Sequence, residues 1–291
     1  MHTGRSSILV AAAWVMGTLA SYTLIAIATR EVSAHVGTFQ ILAIRSAVGL
    51  LFVSALIHRI GWQPILSGNM RVHVIRNAAN FCGQMGWFYA IAVMPLVAVI
   101  AIEFTIPLWT TILAAALLGE RITVPRVAAV LVGLSGVLVI LRPGSELLNP
   151  AAFGVLGGTI GYALSYTLTK KLTATDTSLG ILFWMVLMQL PLGLVPALFA
   201  WVNPTPVEWG WLLVIGVGAL TAHYCMIRAF LLADASVVVP MDFLRLPLMG
   251  VIGLLLYNEH PDVFLLIGSV LIVAGNLTNL QAERRAGDTG R

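Results

Sequence analysis

Val97–Arg126 reads VAVIAIEFTIPLWTTILAAALLGERITVPR, an apolar run that holds one acid, Glu103, and one proline, Pro107, before it closes on Gly119-Glu120-Arg121. A second stretch, Val237–Phe264 (VVVPMDFLRLPLMGVIGLLLYNEHPDVF), falls beneath it without a gap when the sequence is shifted by 139 positions. Glu103 then meets Asp242, Phe104 meets Phe243 and Glu120 meets Glu259. The expectation is two copies of one membrane unit, each with an acid near the start of a long helix. Chance similarity between two hydrophobic segments is the alternative.

Hydrophobic residues make up 59% of the 291 and charged residues 10%, with a mean hydropathy of +0.96. Soluble domains are roughly half apolar and a quarter charged, so this is an integral membrane protein facing a lipid bilayer. Lipid admits only helices or closed barrels, because backbone groups without partners are costly there. The apolar runs are about twenty residues long with no period-two alternation, which selects helices. The net charge of +4 is not arranged as a basic patch interleaved with aromatics, so no nucleic-acid partner is expected. Cys82 and Cys225 lie inside apolar runs and read as packing residues rather than a disulfide framework. The apolar stretch from Ile8 is too long for a secretory signal core and reads as the first, retained, span.

Charges, prolines and short polar stretches divide the chain into ten spans: 8–28, 36–58, 73–93, 97–118, 125–141, 152–170, 178–200, 208–231, 237–257 and 262–280. The fold class is thus an all-α integral membrane protein, with ten transmembrane helices as two inverted five-helix repeats, 1–145 and 146–291. With both termini cytoplasmic, Arg5, Arg59, Arg71, Arg76, Arg121, Arg126, Lys170, Lys171, Arg228, Arg284, Arg285 and Arg291 fall on or near the cytoplasmic side, and only Arg30 and Arg142 outside. That distribution obeys the positive-inside rule. Five spans per repeat is an odd number, so the second copy enters inverted. Inverted repeats are typical of secondary transporters, whose sites lie near the midplane between the halves.

The run IEFTIPLWTTILAAALLGERITVPRVAAVLVGLSGVLVI resembles the fourth and fifth helices of the EamA-type repeat of the drug/metabolite transporter superfamily, and ASVVVPMDFLRLPLMGVIGLLLYNEHPD resembles the matching part of its second repeat. The resemblance implies ten helices, cytoplasmic termini, a central cavity lined mainly by helices one to four and six to nine, and peripheral fifth and tenth helices. It also implies transport of a small-molecule substrate across a bacterial inner membrane. Export of amino acids or related metabolites is the leading expectation. Uptake of a cofactor-like or nucleoside-like metabolite is the alternative within transport, and a non-transporting scaffold or lipid-binding protein the alternative outside it.

Charges deep in a membrane are costly and are functional candidates by default. Arg45, Glu103, Asp242 and Arg245 are the four that stand out. Arg45 lies roughly 13 Å and Glu103 roughly 9 Å below the outer ends of their spans at 1.5 Å per residue, a depth at which they are expected to pair. Asp242 and Arg245 are three apart on one helical face, bracketed by Pro240 and Pro247, with Arg228 in reach of Asp242. Asp242 and Glu103 suit proton coupling or an amine contact, and Arg45 or Arg245 a carboxylate contact. The competing reading is that these charges only neutralise one another and pin the halves together.

Asn77, Asn80, Gln84 and Trp87 form one polar face on span three, which faces protein or a water-filled cavity; interhelical hydrogen bonding is the plainer role. His223, aligned with Gln84 in the repeat, and Tyr224 lie on span eight, where a histidine serves a proton relay or is simply hydrogen-bonded. Trp14, Thr18 and Tyr22 make one mixed stripe, and Thr159, Tyr162, Tyr166 and Thr169 another. Such stripes line a cavity for an amphipathic solute or serve as packing belts. Gly154, Gly157, Gly158 and Gly161 have small-xxx-small spacing and predict close helix packing. No phosphate loop, metal-ligand cluster or nucleophile elbow is present, so no enzyme, resident cofactor or metal is expected. Protons are one candidate coupling ion and a homodimer one candidate assembly, and the sequence decides neither.

Overall fold

A computed structural model describes residues 5–118, 124–141, 150–232 and 245–289. The elements are α1 (Arg5–Val32), α2 (Thr38–Ile60), α3 (Met70–Val93), α4 (Leu96–Glu103), α5 (Ile106–Leu118), α6 (Val124–Leu141), α7 (Pro150–Leu172), α8 (Ser178–Ala197), α9 (Pro206–Leu232), α10 (Arg245–Tyr257) and α11 (Val263–Thr289). No strand occurs among the described residues. The helices α1, α2, α7, α8 and α9 are long and apolar enough to cross a membrane, and shorter apolar runs lie in α4–α5, α6, α10 and α11. Helix α3 has the length, but its amides and arginines dilute the hydropathy. Asp242, Pro240, Glu120, Arg121 and Arg142 lie outside the described residues.

Span four differs from the sequence expectation, which drew one helix over 97–118. The helix breaks after Glu103 and restarts at Ile106, with Phe104 at φ −66° and ψ 0°. Pro107 supplies the cause: in a continuous helix its ring would meet the carbonyl of residue 103, and it has no N–H to donate. Thr105 closes the break by bonding the Ile102 carbonyl twice, through N at 3.0 Å and Oγ1 at 2.8 Å. Helix α5 then starts with Leu108 N donating to Thr105 O at 3.0 Å. Every residue of α4 is buried, as an all-apolar helix requires. Glu103 therefore sits at a helix end in the middle of the bundle.

The tightest packings are α1 on α9, α3 on α7, α2 on α8 and α6 on α11, and α4 crosses α10. Counted as spans, one packs on eight and three on six, while two pairs with seven, four with nine and five with ten. Exchanging each span for its copy five places on turns one–eight into six–three and returns the other pairs to themselves. A two-fold relation between the halves produces this pattern. Odd-numbered repeats make that two-fold lie in the membrane plane.

The α3–α7 contact is built on glycine. A Cβ on Gly86 would stand 2.2 Å from the Gly154 carbonyl oxygen, one on Gly83 2.9 Å from Gly158 O, and one on Gly161 2.5 Å from Ala79 O. Backbones this close leave no room for a side chain, the arrangement that small-xxx-small spacing predicts.

The two ends of the bundle are tied by different contacts. At the end where α1 finishes, Arg30 pairs with Glu259 at 3.1 Å and donates to the Met94 carbonyl. The other Glu259 oxygen accepts from Leu96 N at 2.8 Å, capping the start of α4. At the opposite end, Asn69 donates to Thr175 at 2.8 Å, Thr177 to the Pro64 carbonyl at 2.6 Å, and His73 faces Asp176 at 3.4 Å. Burial alone would raise the Asp176 carboxyl, but hydrogen bonds from Ser67, Thr175 and His73 outweigh it and hold it below the ordinary carboxylate range.

Candidate functional site

A cavity lies on the line between the halves, lined by Tyr22 and Ile25 of α1, Arg45 of α2, Gln84, Trp87 and Phe88 of α3, Glu103 of α4, Tyr162 and Tyr166 of α7, and Ala219 and His223 of α9. One pair of these is repeat-related, Gln84 with His223, 139 positions apart. The two-fold that relates the repeats therefore passes by this space. Its volume is about 30 Å³, room for a few water molecules at most.

The charges pair differently from the depth-based expectation. Glu103 forms its ion pair with Arg245, at 3.0 Å and with side chains 7% and 3% exposed, and not with Arg45. Depth along a span does not fix its azimuth: α4 crosses α10, where Arg245 opens the helix, whereas Arg45 on α2 faces α3 and α8. Trp87 Nε1 donates to the second Glu103 oxygen at 2.9 Å. The Arg245 guanidinium also lies 5.2 Å from the Tyr22 ring centre and 5.9 Å from that of Phe104, contacts a desolvated cation gains from. Tyr22 in turn meets His223 edge-on, with ring centres 6.3 Å apart.

Arg45 belongs to a separate, amide-rich network. Its Nη1 donates to Gln84 Oε1 at 2.9 Å and to Gln189 Oε1 at 3.1 Å. Gln84 Nε2 also donates to Gln189 Oε1 at 3.2 Å, and Gln189 Nε2 to Asn80 Oδ1 at 2.9 Å. Asn80 Oδ1 accepts from Gln84 as well. Asn77 donates to the Trp184 carbonyl at 3.3 Å and accepts from Arg76 at 2.7 Å. The polar face of span three thus splits: Asn77 and Asn80 bond α3 to α8, while Gln84 and Trp87 reach the cavity.

Several sequence candidates stand elsewhere. Tyr224 is 38% exposed and packs edge-on against Trp14, with ring centres 5.7 Å apart, and neither lines the cavity. Arg228 lies over that same Trp14 ring at 5.5 Å. Tyr162 and Tyr166 do line the cavity and stack on each other at 6.3 Å with ring planes 18° apart.

Two buried polar residues of this network were not among the sequence candidates. Gln189 is the lone amide in the apolar run of α8, a polar atom with no lipid partner, and that was its signal. Arg76, expected near the cytoplasmic edge, is 1% exposed and donates to Thr169 Oγ1 at 3.0 Å. Among the described residues no cluster of metal-binding side chains occurs.

Trp87→Phe keeps the ring and removes the donor to Glu103. It is expected to cost about 1.5–3 kcal/mol, the usual worth of a hydrogen bond to a charged group, read as a lower melting temperature of the purified protein. Unchanged melting would mean the indole adds only volume.

The model of the EamA-like transporter family matches twice, over residues 9–142 and 149–280. This chain belongs to that family. The two matches meet between α6 and α7, so each covers one half of the two-fold packing. Among EamA-like relatives, the S-adenosylmethionine uptake transporter of Rickettsia bellii is 24% identical over 273 residues, covering 94% of both chains. The riboflavin transporter of Vibrio cholerae is 32% identical over 204 residues, 69% of this chain and 68% of its own. The pseudopaline exporter CntI of Pseudomonas aeruginosa is 28% identical over 265 residues, 89% of this chain and 92% of its own. A solved crystal structure superposes on 97% of this EamA-like chain and 98% of its own with a TM-score of 0.66 at 17% identity, a likeness of fold. The protein is a multi-pass membrane transporter of the drug/metabolite transporter superfamily, moving a small molecule.

Proposed function

We propose that the chain takes up a flat-ringed, cofactor-like metabolite across the bacterial inner membrane, by alternating access through the cavity between its halves. The observation that carries this reading is the cavity wall. Tyr22, Trp87, Phe88 and the stacked Tyr162 and Tyr166 surround it, and its polar contacts are confined to Arg45, Gln84, Glu103 and His223 besides the tyrosine hydroxyls. Aromatic faces bury a ring system, and a few fixed polar groups orient its edges.

The relatives support the same substrate class. Two are named for S-adenosylmethionine and riboflavin, which favours a cofactor-like solute over the simple amino acids that the family resemblance put first; the pseudopaline relative is named an exporter. A cavity of about 30 Å³ cannot hold such a solute, so helices must part to admit it. The Arg30–Glu259 tie at one end and the Asn69, His73 and Thr177 contacts at the other are the bonds that would release in turn. The Lys and Arg distribution supports cytoplasmic termini, which puts the Arg30–Glu259 tie on the outer side.

Counterflow in proteoliposomes tests the substrate class. Vesicles preloaded with riboflavin or S-adenosylmethionine are expected to accumulate the labelled form of at least one of them, with no displacement by leucine or methionine. Counterflow of amino acids alone would overturn the reading, and counterflow of no solute in the panel would favour the scaffold alternative.

A further inference from the structure

We infer that the site takes a ring-bearing metabolite that carries an anionic group, a carboxylate or a phosphate, and that Arg45 is the residue that binds the anion. The inference rests on the reading that the cavity is the substrate site, and it follows from the charge balance there. Among the described residues the cavity is lined by one acid, Glu103, and that charge is met by Arg245 at 3.0 Å. Arg45 is left with neutral partners: it is 4% exposed, and it donates to the amide oxygens of Gln84 and Gln189. Among the described residues no carboxylate lies within ion-pair distance of it.

Arg76, one side of the same polar face, repeats the pattern. It is 1% exposed, and among the described residues it donates to Thr169 Oγ1 and Asn77 Oδ1. Among the described residues, two buried guanidinium groups therefore add to one neutralised ion pair, an excess of positive charge. A buried cation without a counter-charge is expensive in a low-dielectric interior, and an arriving anion removes that cost. The geometry suits it. Both amide oxygens take hydrogens from Nη1, so Nε and Nη2 remain for a ligand, and a guanidinium fork matches a carboxylate or phosphate in two bonds. Amide partners fix the plane of the group without neutralising it.

Matched ligand pairs test this on the purified full-length protein, with binding read by the thermal shift. The pairs are riboflavin 5′-phosphate against riboflavin, S-adenosylhomocysteine against 5′-methylthioadenosine, and leucine against leucinamide. The member of a ring-bearing pair that carries the anionic group is expected to bind roughly tenfold or more tightly than the member that lacks it, the factor a charge-assisted hydrogen bond confers. Arg45→Gln is expected to bring that ratio close to one. Gln189→Glu places a carboxylate at the position of the amide oxygen 3.1 Å from Arg45; it is expected to raise the melting temperature of the ligand-free protein and also to abolish the preference.

The phosphate and carboxylate pairs separate the two anion sources, and either one showing the preference supports the inference. Equal binding of both members of every pair overturns it while leaving the ring-binding reading intact. A preference confined to leucine over leucinamide overturns the ring-binding reading while supporting Arg45 as an anion contact. A Gln189→Glu protein that melts no higher and still prefers the anion also overturns the inference.

Discussion

Gly86→Leu is expected to leave no monodisperse protein in detergent, whereas Gly157→Ala, one turn from Gly154 on the facing helix, is expected to purify like the parent. A Cβ on Gly86 meets the Gly154 carbonyl oxygen at 2.2 Å and the carbonyl carbon at 2.7 Å, while one on Gly157 meets nothing within 4 Å. Ordinary overpacking costs about 1–3 kcal/mol because side chains shift to make room. Here the obstructing atoms are backbone, so α3 and α7 must separate along their length. That contact joins the two halves beside the cavity, and its loss removes the frame that holds Trp87 and Tyr162 together. Fluorescence-detected gel filtration reads the outcome. A sharp, parent-like peak for Gly86→Leu would show that the helices are not packed at this distance.

The second large effect belongs to the Glu103–Arg245 pair. Arg245→Leu is expected to destabilise by about 3–5 kcal/mol, because removing one partner leaves a carboxylate in a low-dielectric site. The double variant Glu103→Gln/Arg245→Met is expected to recover most of that loss, since no charge is then stranded. Melting of the parent, Glu103→Gln, Arg245→Met and the double variant in a double-mutant cycle gives the coupling directly. If the single and double variants melt alike, the pair does not carry the stabilising role assigned to it. Transport activity is expected to fall in both, because Tyr22 packs against the same guanidinium at 5.2 Å.

Much of this architecture was legible in the sequence, for physical reasons. A span must be apolar for about twenty residues, so its presence is written plainly, and Gly154, Gly158 and Gly161 announced close packing before any partner was known. Partner identity was harder. Arg45 and Glu103 lie at similar depth, yet one faces the amides of α3 and α8 and the other faces α10, and depth carries no information on which way a side chain turns. Pro107 was visible, but reading it as a break required noticing that a continuous helix has no room for a proline ring against the carbonyl of residue 103. Gln189 was passed over because the leucine-rich run around it reads as lipid-facing. The aromatic candidates divided similarly: Tyr22, Tyr162 and Tyr166 reached the cavity, while Trp14 and Tyr224 packed together outside it.

The central claim is that substrate occupies the space between the two repeats, and protection of a cavity cysteine tests it most directly. In a background with Cys82 and Cys225 replaced by alanine, Tyr166→Cys in proteoliposomes is reacted with a small aqueous maleimide, with and without the ring-bearing metabolite that the protein transports. The label is expected to attach, and the metabolite to slow it in proportion to site occupancy. A labelling rate unchanged by a solute that the same vesicles still transport would place the substrate path elsewhere.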